Sequence, residues 1–360
     1  MNDRILVAMS GGVDSSVAAA LLRERGHDVV GAFLRTGTFG PEGASSARRC
    51  CSAADARDAA AVAARLGIPF YSLDYEREFG RVMEDFASEY ARGRTPNPCV
   101  RCNQWVKFGS LFDLAGRIGA RRVATGHYAR IGGKEGALRL RAARDPRKSQ
   151  VYFLFTLGQE ELSRSLFPIG DMTKEEVRRA AAERGLPVAD KPESQEICFV
   201  PDGDRARLVE RLVPGSMEPG PVVDATTGER VGRHEGLPRY TVGQRRGLAI
   251  PFGDRRYVVR LERATNTLVV GPREALLAES VRLEGVRFAA PPEPGPGDAI
   301  RALVQIRYRH AARPASIRVE GGSTALVRFD EPETGVSPGQ AAVFLDGDGD
   351  EVLGGGWIAS

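Results

Sequence analysis

Two groups of residues in this chain are of the types that do chemistry. The first is Ser10-Gly11-Gly12-Val13-Asp14-Ser15-Ser16, which follows the apolar run Ile5-Leu6-Val7-Ala8-Met9 and precedes an Ala- and Leu-rich stretch ending at Arg25-Gly26. That context predicts a strand, a tight turn and a helix over Ser15–Arg25. Glycines let the backbone approach an anion closely, and the helix start offers unpaired N–H groups and the positive end of a dipole. Ser10, Ser15 and Ser16 add hydroxyl donors. The run therefore reads as a phosphate cradle, yet it has neither the lysine of GxxxxGK[ST] nor the spacing of GxGxxG. Asp14 adds a carboxylate, the hard oxygen donor that Mg2+ takes beside phosphates.

The second group is the cysteines, five in 360 residues and too few for a disulfide scaffold. Cys99 and Cys102 stand in Arg94-Thr95-Pro96-Asn97-Pro98-Cys99-Val100-Arg101-Cys102-Asn103, with Lys107-Phe108 after them. Two prolines stiffen this segment, and the neighbouring cations and helix start form a setting that lowers a thiol pKa. A CxxC is open to zinc, redox or structural readings. No second CxxC and no His pair accompanies it, the histidines being His27, His127, His234 and His310, which disfavours zinc. Cys198 stands alone in Ser194-Gln195-Glu196-Ile197-Cys198-Phe199, and the adjacent Cys50-Cys51 reads as a loop or helix start.

The elements that must position these residues alternate. Strands are predicted at Asp28–Leu34, Ile68–Leu73 and Val123–Thr125, and helices at Asp55–Leu66, Val82–Arg92 and Phe108–Ile118. Alternation of this kind predicts an α/β fold with a doubly wound parallel sheet, and it holds to about residue 200. His127 follows a strand end, where such sheets hold ligands. Beyond residue 200 short β-like runs separated by Gly and Pro turns predict a small antiparallel barrel, with strands at Ala299–Tyr308, Ala315–Val319, Thr324–Phe329 and Ala341–Phe344. Ala289–Gly297 (AAPPEPGPG) reads as a hinge.

The composition is 42% hydrophobic and 27% charged, which excludes a disordered chain or a coiled coil. No apolar run reaches the length of a membrane span and the N-terminus lacks a secretory signal, so a cytoplasmic location is expected. Residues 275–360 carry 8 Arg against 12 carboxylates, whereas the first 274 carry the remaining 43 basic residues against 35 acidic ones. A basic front suits a polyanionic partner, although Arg-rich coding would leave the same excess.

Ser10–Ser15 resembles the SGGxDS signature of the PP-loop ATP pyrophosphatases, which cleave ATP between the α and β phosphates and adenylate an oxygen. Together with the NPCxxCN segment and the lone cysteine of SQEICF, it makes the chain similar to the tRNA-specific 2-thiouridylases. Three further segments carry that resemblance in order: Thr125-Gly126-His127-Tyr128, Lys148-Ser149-Gln150-Val151-Tyr152-Phe153-Leu154, and Tyr240-Thr241-Val242-Gly243-Gln244-Arg245-Arg246-Gly247-Leu248. The resemblance implies a PP-loop domain (adenine nucleotide α-hydrolase-like) over 1–200, a small central domain over 201–274 and a C-terminal β-barrel that binds tRNA over 275–360. It implies that Ala8, Met9, Ser10, Gly11, Gly12, Val13, Asp14 and Ser15, with Leu34 and Gly126, hold ATP and its Mg2+. Cys102 would be the nucleophile and Cys198 the persulfide carrier, with a Cys102–Cys198 disulfide as a product. Asn97, Pro98 and Cys99 would touch the target base. His127, Lys148, Ser149, Gln150, Arg307, Tyr308 and Gln340 would touch tRNA. The partners would be the tRNAs for Lys, Glu and Gln and a cysteine desulfurase or sulfur-relay protein.

Some members of that family carry Asp where this chain has Cys99, so a rival reading lets Cys99, Cys102 and Cys198 ligate a [4Fe–4S] cluster. Two other readings stay open: another PP-loop adenylating ligase, which needs no cysteine pair, and a non-catalytic RNA-binding protein, which needs no Asp14.

Overall fold

A computed structural model describes residues 3–37, 52–193, 197–200, 203–248 and 255–359. The expectations for Cys50 and Cys51 lie outside the described residues. The strands of the first unit are β1 (Arg4–Ala8), β2 (Asp28–Arg35), β3 (Phe70–Asp74), β4 (Arg122–Thr125), the hairpin β5 (Ala129–Lys134) and β6 (Ala137–Ala142), and the two-residue β7 (Ser165–Leu166). Its helices are α1 (Val13–Glu24), α2 (Ala53–Leu66), α3 (Glu76–Ala91), α4 (Pro98–Arg101), α5 (Leu111–Arg117), α6 (Gln159–Arg164) and α7 (Lys174–Glu183). Five strands form one parallel sheet in the order β3-β2-β1-β4-β7.

The central strand is apolar on both faces because both are covered. Ile5 and Val7 pack with Val17, Ala18, Val62 and Val177 from α1, α2 and α7. Leu6 points the other way, into a cluster with Leu111, Phe112, Leu154 and Leu162. The sheet is therefore doubly wound, as the alternation predicts. The chain moves outward from β1 to β3 and then returns to the other side of β1 at β4. Such a reversal opens a crevice at the C-terminal strand ends, and both Ser10–Ser16 and Gly126–Tyr128 emerge there.

Two helical expectations needed revision. Helix α3 starts at Glu76, ahead of the predicted Val82, because its first turn is polar on the solvent side; its apolar stripe is Phe79, Val82, Met83, Phe86 and Tyr90. The segment from Cys102 to Ser110 is π-helical, with Phe108 at φ −114° and ψ 18°, so only its continuation α5 is regular. Wide turns of this type recur at functional sites.

After α8 (Arg205–Leu212), strands β8 (Gly220–Asp224), β9 (Arg230–His234), β10 (Tyr257–Glu262) and β11 (Thr267–Gly271) form a sheet in the order β10-β11-β8-β9. Then β12 (Leu277–Phe288), β13 (Ala299–Gln305), β14 (Arg313–Gly321), β15 (Thr324–Thr334), β16 (Ala341–Leu345) and β17 (Val352–Ile358) close into an antiparallel barrel, β12-β15-β14-β13-β16-β17. Residues 289–297 do not form a hinge between bodies. They connect β12 to β13 within the barrel, held at Ala289 N–H to Leu353 O (2.9 Å) and Gly297 N–H to Val319 O (2.9 Å). The barrel shares its outer face with the parallel-sheet unit, since Ala341, Val343, Leu345 and Val352 belong to the same apolar cluster as Leu6 and Phe112. Among the described residues no helix is long and apolar enough to cross a membrane.

Candidate active site

The loop after β1 is held open by its own atoms. Gly11 has φ +72°, and a Cβ there would lie 2.2 Å from the Asp55 carbonyl, so only glycine fits. Gly12 caps α1 without any side-chain hydrogen bond, which leaves the first N–H groups of the helix to an outside partner. Ser10 N–H donates to Ser15 Oγ at 3.1 Å. Ser15 and Ser16 hydroxyls turn back to Gly12 O at 3.3 and 2.8 Å. Ser15 and Ser16 are both buried and Ser10 is exposed, so of the three expected hydroxyl donors Ser10 is the one open to an anion. Met9 and Val13 are core residues by side chain, and their backbone alone lines the loop.

Gly126 closes the other wall. A Cβ on Gly126 would sit 2.5 Å from Ser15 N and 2.7 Å from Asp14 C, so β4 and the loop touch through backbone. Gly126→Ala is expected to push the loop out of register, at an overpacking cost of about 1–3 kcal/mol. The measurement is ATP affinity in a folded variant. A roughly tenfold loss is expected, and unchanged affinity would show that the loop tolerates the shift.

Next to the loop lies a cluster of charge that the sequence does not announce. Lys174, at the start of α7 and only 7% exposed, donates from Nζ to Asp14 Oδ1 (2.7 Å) and Oδ2 (2.9 Å) and pairs with Glu193 Oε1 at 3.0 Å. Lys148 Nζ reaches the same Glu193 at 3.0 and 2.7 Å. Burial alone would raise the Glu193 carboxyl, but hydrogen bonds from Lys148 and Lys174 and their charges hold it at about 2. The Tyr128 hydroxyl donates to Asp14 Oδ1 at 2.8 Å. Burial, the Asp14 charge and that hydrogen bond raise the phenol, which stays protonated. Lys191 Nζ donates to Gly11 O (2.9 Å) and pairs with Asp55 (2.6 Å) and Asp58 (2.5 Å). Lys174, Lys191 and Glu193 were missed because a lysine or glutamate in a polar stretch carries no local signature.

Expected site residues meet on a second surface around Tyr152. Its hydroxyl donates to Ala341 O at 2.9 Å and to Gln340 Oε1 at 3.2 Å, with the Asn97 side chain also hydrogen-bonded to it. Gln340 Nε2 donates to Thr95 O at 3.0 Å, so its amide latches the barrel to the segment carrying Asn97, Pro98 and Cys99. Tyr308 stacks on Phe153 with ring centroids 4.4 Å apart. Arg307 and Tyr308 were expected on a barrel strand; β13 instead ends at Gln305 and they lie in the turn after it, where Arg309 has φ +61°. Arg307 is exposed there. Residues 148–153 join the two surfaces. Lys148 bonds to Glu193, Ser149 Oγ accepts from Ala143 N–H, Gln150 Oε1 accepts from Tyr128 N–H, and the Tyr152 hydroxyl and Phe153 O take hydrogen bonds from Asn97 and Asn103 of the cysteine-bearing segment.

His127 lies inside. It is 8% exposed, its Nδ1 is 2.7 Å from Thr125 Oγ1, and its ring stands among Phe108 and Phe167. Burial, with the Lys107 charge beside it, holds its pKa well below the usual histidine value, so the ring is neutral and presents no cation at the surface.

Cys99 is exposed on α4, and Cys102, where the π-helical segment begins, is half-buried. Cys102 packs against two apolar clusters at once. One contains Leu6 and Leu154 and is bordered by Ala8 and Leu34; the other contains Phe79, Phe86 and Phe199 and is bordered by Cys198. The fold therefore brings Cys102 and Cys198 to one apolar patch, and Cys102 also meets the face of the sheet opposite α1, where Ala8 and Leu34 border the cluster. Arg101, expected as a cation beside the thiols, is instead stacked over Trp357 (4.0 Å) and Trp105 (4.9 Å) and paired with Asp85 at 3.6 Å. Among the described residues no three His, Cys, Asp or Glu side chains are grouped so as to hold a metal ion. Cys99, Cys102 and Cys198 do not form a cluster ligand set, and the [4Fe–4S] expectation does not fit this arrangement.

Comparison with known proteins places this geometry. Residues 3–202 match the family described as the tRNA methyl transferase HUP domain, 208–272 its PRC-barrel domain, and 278–358 the aminomethyltransferase beta-barrel domain. The tRNA-specific 2-thiouridylase MnmA of Geobacter metallireducens is 50% identical over 99% of this chain and 96% of its own length. Those of Chloroflexus aurantiacus (strain J-10-fl) and Rhodospirillum rubrum are each 50% identical over 99% of this chain, and over 98% and 96% of their own lengths. With a phosphate loop at the switch point, two cysteines on one apolar patch and half its residues shared end to end with these relatives, the chain belongs to the tRNA-specific 2-thiouridylase family.

Proposed function

We propose that this protein is a tRNA-uridine 2-sulfurtransferase, which adenylates the C2 oxygen of a wobble uridine and then replaces that oxygen with sulfur. The observation that carries the reading is the position of Cys102, packed between the apolar cluster that Ala8 and Leu34 border and the cluster that borders Cys198.

Uracil O2 is a poor leaving group, and ATP supplies the remedy. O2 attacks the α-phosphorus, pyrophosphate departs, and C2 then bears an adenylate. The loop Ala8–Ser15 with Leu34 and Gly126 holds the nucleotide, the free N–H groups of α1 facing its phosphates. Asp14 offers hard oxygens of the kind Mg2+ takes when phosphates complete its shell, and it is the residue that would hold that ion. When bound, Mg2+ offsets charge on the departing pyrophosphate.

Sulfur arrives as a persulfide on Cys198, supplied by a cysteine desulfurase or sulfur-relay protein. In one route the terminal sulfur attacks C2 directly and AMP leaves. Cys102 thiolate then attacks the Cys198 sulfur, breaks its bond to the sulfur on C2 and frees the thiolated base. In the other, Cys102 attacks the inner sulfur of the persulfide and releases sulfide, which attacks C2. Both end with 2-thiouridine, AMP and a Cys102–Cys198 disulfide, and a two-electron reductant resets the pair. Asn97, Pro98 and Cys99 frame the base. Lys148–Gln150, Arg307, Tyr308 and Gln340 lie along the tRNA side, with His127 holding that wall from within. The tRNAs for Lys, Glu and Gln are the expected substrates. The cytoplasm is the expected compartment.

The deciding experiment is mass spectrometry of tRNA nucleosides after incubation with ATP, Mg2+ and a sulfur source. 2-Thiouridine that appears only with ATP is expected; its absence would favour another adenylating ligase. Arg307→Ala is expected to weaken tRNA binding and to lower the slope of log affinity against log salt by about 1 or slightly less, with ATP affinity unchanged. A flat salt response in the parent protein would show that the basic excess is compositional.

A further inference from the structure

The charged cluster beside the phosphate loop is electrically closed. Lys174 is bonded to Asp14, and Lys174 and Lys148 are both held by one carboxylate, Glu193. A nucleotide entering the loop brings several negative charges against Asp14 and Glu193 together. Like charges at that separation repel, whereas the two lysines, once released, match phosphate oxygens. The carboxylate is also tied to the loop along the chain. Lys191, two positions earlier, is fixed on Gly11 O, Asp55 and Asp58. Cys198 is five positions later.

We propose that Glu193 is a resident counter-ion in the outer-phosphate subsite: its carboxylate holds Lys148 and Lys174 when the loop is empty, and the β- and γ-phosphates of ATP take its place on both ammonium groups. The inference rests on the ATP reading above and assigns to Lys148 a phosphate contact in place of the tRNA contact expected there.

The test uses the full chain with ATP and inorganic pyrophosphate as probes, measured by calorimetry for the parent protein, Glu193→Gln and Lys174→Gln. Glu193→Gln removes the competing charge at constant size and is expected to bind pyrophosphate at least threefold more tightly. Lys174→Gln is expected to bind it at least fivefold more weakly. Glu193→Gln that binds pyrophosphate no better than the parent, or Lys174→Gln that binds it as tightly as the parent, would overturn the proposal and leave the ATP reading standing. A parent protein that binds neither probe would overturn the ATP reading itself, and the inference with it.

Discussion

Cys198→Ser is expected to reduce 2-thiouridine formation to background, a loss of roughly 10⁴-fold or more, while adenylation of the uridine continues. The serine hydroxyl occupies the same place on the Phe79–Phe199 patch but cannot hold a second sulfur. Cys102→Ser separates the two routes to C2. If Cys102 frees sulfide, the variant accumulates persulfide on Cys198 and stops there. If the terminal sulfur attacks directly, AMP leaves but no thiolate at 102 can break the C2–S–S–Cys198 bond, so the tRNA stays linked to Cys198. Both are read by intact-protein mass spectrometry after one turnover. Cys99→Ala tests the remaining thiol. Cys99 is exposed, and the structure groups it into no ligand set, so activity is expected to be reduced rather than lost. Full activity in Cys198→Ser would sink the assignment of the persulfide carrier.

Much of this site was legible because its chemistry is local. A glycine turn between a strand and a helix is defined within seven residues, and Ser10–Ser16 is found where the fold needs it, after the central strand. The parallel sheet was legible for a related reason: Ile5-Leu6-Val7 is apolar without alternation, which only a doubly covered strand tolerates. What stayed hidden depends on distant pairing. Nothing near Lys174 or Glu193 in sequence shows that they meet over Asp14, 160 positions from Lys174. Strand β17 was missed because Gly354-Gly355-Gly356 is a poor strand former, and its pairing to β12 and β16 comes from the barrel rather than from propensity. Arg307 and Tyr308 looked like strand continuation. Stacking of Tyr308 on Phe153, a contact with another unit, accompanies the turn there. His127 has the opposite lesson: its position at a strand end pointed to the crevice, but Phe108 and Phe167 enclose its ring.

Asp14→Asn is expected to lower adenylation by roughly 10²–10³-fold and to leave the protein folded, the size of effect seen when one preorganised electrostatic group is removed from a site. The fold should survive because the change is isosteric. Lys174 also keeps a negative partner, since Glu193 lies 3.0 Å from its Nζ. A buried ammonium stripped of every counter-charge would cost several kcal/mol, but this one is not stripped. Catalysis has no such reserve. Asp14 is the carboxylate in the first turn of α1, whose N-cap Gly12 offers no side-chain hydrogen bond to the first N–H groups. Its Oδ1 takes the Tyr128 hydroxyl and a lysine proton together, which fixes the direction of its lone pairs. An amide carries no charge to hold Mg2+ or to orient Lys174, and it turns one acceptor into a donor facing Tyr128 and Lys174. ATP–pyrophosphate exchange with tRNA present is the readout, alongside thermal unfolding. Exchange at the parent rate would remove Asp14 from the machinery. Lost exchange with a melting temperature lowered by more than a few degrees would mean that Glu193 does not stabilise Lys174 alone, and that Asp14 serves the fold as much as the reaction.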